Sequence, residues 1–69
     1  MKDDIPKLQA YLRKVFQSDN IRLVMQPKKN DMAEVFVGDE FIAALYREEE
    51  DGEVEYQLQM CILEDDLQG

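Results

Sequence analysis

The hydrophobic positions near the N-terminus recur with the period of a helix. They are separated by three, four, three and one residues, which places them on one stripe: Ile5, Leu8, Leu12, Val15 and Phe16. Asp4 is a suitable N-cap, and Pro6 fits the first helical turn, where its missing N–H is not needed. Ser18, Asp19 and Asn20 are typical of a helix end. The pattern predicts an amphipathic helix over residues 4–17.

From residue 21 onward, apolar and polar residues alternate with a period of two, which is typical of strands. Gly38-Asp39 suits a type II′ hairpin turn and Asp51-Gly52 a type I′ turn. Residues 27–31, which include Pro27 and Asn30, form the first turn. The pattern therefore predicts four strands, at residues 21–26, 32–37, 41–48 and 54–62.

These elements predict a single α+β domain over residues 1–69. The helix at 4–17 packs on one face of a four-stranded antiparallel β-meander at 21–62, in the order α-β-β-β-β. Residues 63–69 form a short acidic tail, which we expect to be frayed.

The two hairpin turns also predict the register of the sheet. Gly38-Asp39 pairs Phe36 with Phe41, and Asp51-Gly52 pairs Leu45 with Leu58. Strict alternation then predicts that one face packs on the helix: Phe36, Phe41, Ala43, Leu45, Tyr56, Leu58, Met60 and Ile62. The other face collects Val35, Val37, Ile42, Ala44, Tyr46, Gln57, Gln59 and Cys61.

The outer face of this predicted sheet carries five clustered apolar residues. We interpret them as an interface for an unidentified protein partner or for a second copy in a homodimer: Val35, Val37, Ile42, Ala44 and Tyr46. A small chain has a thin core and gains stability by burying more surface. The alternative is simple exposure, since scattered apolar residues are normal on protein surfaces.

Charge is distributed unevenly along the chain. The net charge is −8, but residues 1–29 hold seven basic and three acidic side chains, whereas residues 30–69 hold one basic and thirteen acidic ones. The basic residues could form a patch at the helix and first strand: Lys7, Arg13, Lys14, Arg22, Lys28 and Lys29. An acidic chain is repelled by phosphates, so nucleic-acid binding is disfavoured. Nucleic-acid or ribosome association through this patch remains the alternative to a protein-interaction module.

The inventory of reactive side chains argues against an enzyme. The chain has no His, one Ser and one Cys, so a Ser-His or Cys-His pair and a histidine-ligated metal are excluded. Cys61 has no activating neighbour in sequence. The acidic run at 48–53 lacks the ligand spacing of a calcium loop, because Arg47 and Leu58 would occupy two ligand positions. We predict no catalytic residue, no metal site and no cofactor.

The single cysteine and the absence of a long apolar run also bear on location. One Cys cannot form an intrachain disulfide, which favours a reducing compartment. No apolar run approaches the length of a transmembrane helix, and the N-terminus leads into an amphipathic stretch. We expect a cytoplasmic protein without a membrane partner.

Four segments carry a resemblance to known proteins: Leu8–Arg13, Pro27–Lys29, Ala33–Ile42 and Tyr56–Leu63. Together they resemble a family of short, uncharacterised alphaproteobacterial proteins grouped as a domain of unknown function, over roughly residues 5–66. They consist of hairpin and core residues. The resemblance implies a bacterial cytosolic setting and brings no known activity, ligand or site.

Overall fold

The computed structural model describes residues 2–29 and 31–68. It confirms the predicted α+β architecture, with one helix followed by four antiparallel strands in the order β1-β2-β3-β4. The helix α1 spans Ile5–Phe16, and a 3₁₀ turn at Lys2–Asp4 precedes it. The strands are β1 (Ile21–Met25), β2 (Met32–Val37), β3 (Glu40–Glu50) and β4 (Glu53–Gln59).

The two ends of α1 are formed differently. Pro6 lies in the first turn as predicted, but the Asp4 side chain makes no capping hydrogen bond. The C-terminal end of α1 has a left-handed C-cap, a common form of helix termination. Gln17 has φ of +52°, and its N–H donates to the Arg13 and Lys14 carbonyls. The Ser18 N–H donates to the Arg13 carbonyl as well, at 3.0 Å.

The strand boundaries differ from prediction mainly in the last hairpin. β3 continues to Glu50, whereas β4 ends at Gln59 instead of residue 62, so residues 60–63 leave the sheet. The predicted frayed tail forms a 3₁₀ turn at Glu64–Gln68, where the Asp66 carboxylate accepts a bond from the Leu63 N–H. Asn30 of the predicted first turn lies outside the described residues, as do Met1 and Gly69.

Both predicted hairpin turns occur. Gly38 has φ of +62°, and Asp51 and Gly52 have φ of +54° and +83°, the positive values that a type I′ turn requires. The β3–β4 register is the predicted one, with Leu45 opposite Leu58.

A β-bulge between β2 and β3 overturns part of the predicted face assignment. Phe36 pairs with Phe41 as predicted, but Val35 pairs with Ala43 because Ile42 is an extra residue in β3. Strict alternation cannot anticipate an inserted residue. Val35 therefore shares a face with Ala43 and packs in the core, where it is 2% exposed, and the Phe36–Phe41 pair lies on the opposite face.

The core is small and lies between α1 and the sheet. Leu12 is the buried residue of α1, and Ile5 and Leu8 pack beside it. The strands contribute six residues to this core, and two of the six are alanines. The buried residues are Leu12, Ile21, Leu23, Ala33, Val35, Ala43 and Leu45.

The helix also covers one edge of the sheet. β1 is an edge strand, and an edge strand presents unpaired backbone groups. The Leu23 N–H donates to Gln9 Oε1 at 3.0 Å, and Arg13 Nε donates to the Ile21 carbonyl at 2.9 Å. Two side chains of α1 thus occupy two of the backbone groups that another strand would use.

The molecule is elongated, since the β3–β4 hairpin extends beyond the other strands. Its extents are 43 × 24 × 22 Å, with a radius of gyration of 13.0 Å. A compact chain of this length would have a radius of gyration of about 11 Å. The tip of this hairpin and the adjoining strand β4 therefore receive little cover from the rest of the fold.

Candidate functional site

An apolar groove lies where the C-terminal end of α1 meets the sheet. We call it the helix-end groove, and its volume is about 220 Å³. α1 lies mainly against β1, so the neighbouring surface of β3 and β4 stays uncovered. The groove is lined by Phe16, Ser18, Ile21, Val35, Val37, Ile42, Ala43, Leu58 and Met60.

Several lining residues of the helix-end groove are well exposed. Phe16 is 55% exposed, Met60 58% and Leu58 39%. Exposed large apolar side chains that cluster in a concavity are typical of binding sites rather than of ordinary surface. The groove can therefore take apolar side chains of another molecule.

A second depression continues the helix-end groove toward the C-terminal segment. It shares Ile42 and Met60 with the groove and adds the acidic side chains Glu40 and Asp66. The apolar residues Phe41, Ile62 and Leu67 also line it. The apolar groove thus opens on one side toward two carboxylates, which favours a ligand that combines apolar and basic groups.

The structure divides the predicted interface between the two faces of the sheet. Val35 is buried in the core, Ile42 packs against the core, and Val37 lines the helix-end groove, so placing these three on the outer face was wrong. The bulge at Ile42 is the reason. Ala44 and Tyr46 do lie on the outer face, opposite Glu34 and Met32, and both are half-buried.

The outer face instead carries an aromatic pair that strict alternation of the sequence predicts in the core. The Phe36 and Phe41 rings meet edge to face with centroids 5.7 Å apart, and the Arg22 guanidinium lies 5.3 Å from the Phe36 centroid. Arg22 also donates two bonds to the Gly38 carbonyl, at 3.0 and 3.3 Å. These contacts brace the β2–β3 turn against β1.

The predicted basic patch is not one surface. Arg13 lies at the β1 edge with its Nε on the Ile21 carbonyl, whereas Arg22 lies on the outer face over Phe36. Lys7 and Lys14 are exposed on α1. Lys28 and Lys29 follow the far end of β1, a strand of five residues or roughly 16 Å. The six residues are therefore not brought together.

Asp4 and Tyr56 join the start of α1 to β4. The Tyr56 hydroxyl donates to Asp4 Oδ2 at 2.7 Å, across fifty-two positions of sequence. This hydrogen bond to a carboxylate, with a smaller effect of burial, raises the pKa of Tyr56 above its ordinary value. The hydrogen bond holds the 3₁₀ turn before α1 against β4.

The acidic hairpin tip places like charges opposite each other across β3 and β4. Glu48 lies opposite Glu55 and Glu50 opposite Glu53. Arg47 donates to Glu49 at 3.0 Å, and this bond raises the pKa of Arg47. Within residues 2–29 and 31–68, no group of three or more acidic or cysteine side chains is arranged to hold a metal ion. Cys61 is exposed.

Phe16 and Met60, which the sequence pattern did not predict as groove residues, both lie at the end of an element. Phe16 ends the apolar stripe of α1, yet the helix covers mainly one edge strand. Met60 follows the last paired residue of β4. Apolar residues at or just beyond the end of their element are therefore candidates for a surface that the fold leaves uncovered.

Among the described residues, no helix is long and apolar enough to cross a membrane.

Comparison with known proteins identifies a family but no characterised relative. No curated protein and no solved structure matches this chain. A family model described as a protein of unknown function, DUF3126, matches residues 4–66. This match covers α1, all four strands and most of the C-terminal segment. The chain therefore belongs to the DUF3126 family of proteins of unknown function.

Proposed function

We propose that this protein is a non-catalytic protein-interaction module that binds a partner segment in the helix-end groove. The observation that carries the proposal is the cluster of exposed apolar side chains in that groove, including Phe16, Leu58 and Met60. The absence of His from the sequence, and the lack of any base beside Cys61 in sequence, support a binding role over catalysis.

The partner segment is apolar and carries basic residues on one side. Glu40 and Asp66 border the continuation of the groove, and residues 30–69 hold thirteen acidic side chains against one basic. Such a field attracts cationic segments and repels acidic ones. Apolar anchors supply most of the affinity, whereas the carboxylates select the partner and its orientation.

The setting of this interaction is the cytoplasm of an alphaproteobacterium. The resemblance of the hairpin and helix segments to proteins of that group supports the source. An exposed Cys61 supports a reducing compartment, because such a thiol would be oxidised or cross-linked in an oxidising one.

Nucleic-acid or ribosome association is the second function proposed from the sequence. It has less support, because Arg13 and Arg22 bond to backbone carbonyls and the lysines lie on separate elements. Binding to a fluorescent single-stranded RNA that weakens steeply with salt would favour it over the groove proposal.

Selection from a displayed random-peptide library tests the groove. We expect enriched peptides that combine aromatic or aliphatic residues with Lys or Arg, and that bind the wild type. Met60→Lys should weaken their binding by about tenfold or more, because it places a cation among the apolar anchors and against a basic ligand. Val24→Lys makes the same charge change on the outer face, opposite Glu34, and should leave binding unchanged. Equal effects of the two substitutions would contradict the proposal.

A further inference from the structure

The two edge strands of the sheet, β1 and β4, differ in whether their outward backbone groups are hydrogen-bonded. Gln9 and Arg13 of α1 bond two backbone groups of the β1 edge, the Leu23 N–H and the Ile21 carbonyl. The two-residue turn at Asp51-Gly52 pairs Glu53 with Glu50, so Glu53 and every second residue after it point their backbone groups toward β3. The N–H and C=O groups of Val54, Tyr56 and Leu58 therefore point outward, and no described residue bonds to them.

The sequence of β4 is complementary to itself when read in the opposite direction. Tyr56 is its central residue, with Glu53 and Glu55 before it and Gln57 and Gln59 after it. Antiparallel pairing of two copies about Tyr56 places Glu55 opposite Gln57 of the second copy, and Glu53 opposite Gln59. Each carboxylate, which can only accept hydrogen bonds, then faces an amide that can donate them.

The apolar residues of β4 match in the same arrangement. Val54 lies opposite Leu58 of the second copy, and these are the residues whose backbone groups point outward. Such pairs exchange two main-chain hydrogen bonds each, so full overlap of the two strands forms about six. Val54 is 44% exposed and Leu58 is 39% exposed, and both would lose exposed apolar surface to the second copy.

We propose that two copies of this protein pair through β4 in antiparallel fashion, with Tyr56 at the two-fold axis and one continuous eight-stranded sheet. This interface uses the edge of the sheet rather than its outer face. It shares Leu58 with the helix-end groove, but its main-chain pairing does not depend on the proposed partner binding. A strand that joins an open edge is a common mode of protein recognition.

The charges select one register among those that the backbone allows. A shift that centres the pair on Glu55 places the two Glu55 side chains against each other, which is destabilising. A shift that centres it on Gln57 avoids this but leaves Glu53 beyond the paired strand. The arrangement centred on Tyr56 gives the longest overlap without opposing carboxylates.

Sedimentation of charge variants tests the pairing. Wild type should form a dimer of twice 8.1 kDa at micromolar to submillimolar concentration. Gln57→Glu places a carboxylate of each copy opposite Glu55 of the other copy. These two symmetric repulsions should raise the dissociation constant of the dimer about tenfold. The double variant Glu55→Gln with Gln57→Glu has the wild-type charge and again opposes Glu with Gln, so its dimer should recover. Gln68→Glu is the control for net charge and should leave the dimer intact.

Three results of that experiment would overturn the proposal. The first is a wild type that stays monomeric over the whole range. The second is an equal response to Gln57→Glu and Gln68→Glu. The third is a double variant that fails to recover the dimer while its circular dichroism is that of the wild type.

Disulfide trapping tests the register without relying on weak charge effects. In a Cys61→Ser background, Glu55→Cys protein is mixed with Gln57→Cys protein. Opposed residues of this kind have Cα atoms about 4.5 Å apart, within the range that a disulfide spans. The mixed disulfide should form faster than either homodisulfide and faster than with Gln68→Cys protein. Equal rates would refute the register. The peptide-binding assay with Met60→Lys is independent, so a monomer that still binds peptide rejects only the dimer.

Discussion

Replacing Val35 with alanine should destabilise the protein strongly. Val35 is 2% exposed and lies in β2 opposite Ala43, beneath α1. The substitution removes two buried methyl groups, each worth about 0.8 kcal/mol of transfer free energy. The cavity left among neighbours that relax only partly adds to this loss. We expect the free energy of unfolding to fall by about 2–3 kcal/mol, from a total of about 3–10 kcal/mol for a chain of this length.

Phe41→Ala is the informative comparison. A register without the bulge predicts that Phe41→Ala costs more unfolding free energy than Val35→Ala, whereas the bulged register predicts that it costs less. Phe41 is 51% exposed on the outer face and its main partner is the Phe36 ring, so its loss should cost only about 1–1.5 kcal/mol. Strict alternation would instead expose Val35 and bury Phe41. The free energy of unfolding would then fall by less than about 0.5 kcal/mol in Val35→Ala and by about 3–5 kcal/mol in Phe41→Ala.

Urea denaturation followed by circular dichroism measures both variants. The protein concentration must be the same throughout, since a dimer couples stability to concentration. At about 4–8 °C per kcal/mol, Val35→Ala should also lower the melting temperature by about 10 °C or more. A Val35→Ala protein as stable as wild type, beside a Phe41→Ala protein that fails to fold, would refute the bulge and the face assignment that follows from it.

Two further predictions concern contacts of α1 with the sheet. The raised pKa of Tyr56 means that its bond to Asp4 contributes stability fully below the ordinary tyrosine pKa, and that this contribution is lost as pH rises through the raised value. Phenolate absorbance, assigned by difference from Tyr56→Phe, should show Tyr56 ionising at lower pH in Asp4→Asn; an unchanged midpoint would contradict the contact. Arg13→Met keeps the apolar stem but removes the donor to the Ile21 carbonyl, and should cost about 1–2 kcal/mol in urea denaturation. Lys14→Met, on the same helix but exposed, should stay within about 0.5 kcal/mol, and equal losses would show that the Arg13 bond contributes nothing specific.

Local sequence patterns predicted most of the fold because its elements follow from short-range chemistry. The apolar stripe of α1 and the two hairpin turns each lie within a few residues and have a direct steric cause. The two turns also fixed the pairs Phe36–Phe41 and Leu45–Leu58, which the structure confirms. The end of β4 was placed three residues too late, since Met60 and Ile62 continue the alternation although they leave the sheet.

The candidate sites were harder to predict because they depend on where one residue is inserted. Ile42 is as suitable for a regular strand as for a bulge, and nothing in its identity marks the difference. Because Ile42 is inserted, Val35 and Val37 lie on the helix side of the sheet and not on the predicted outer face. The helix-end groove also depends on the lateral position of α1, which follows from the Gln9 and Arg13 bonds to β1 and not from periodicity.

The bonds from Gln9 and Arg13 to the edge of β1 have a consequence for assembly size. A sheet with two open edges can grow by repeated addition into a filament, because each added copy presents a new edge. Among the described residues, two outward groups of the β1 edge are already bonded to α1, whereas the outward groups of β4 are not bonded. Pairing of two copies through β4 would leave a partly occupied β1 edge at each end of the joined sheet, which disfavours addition of a third copy.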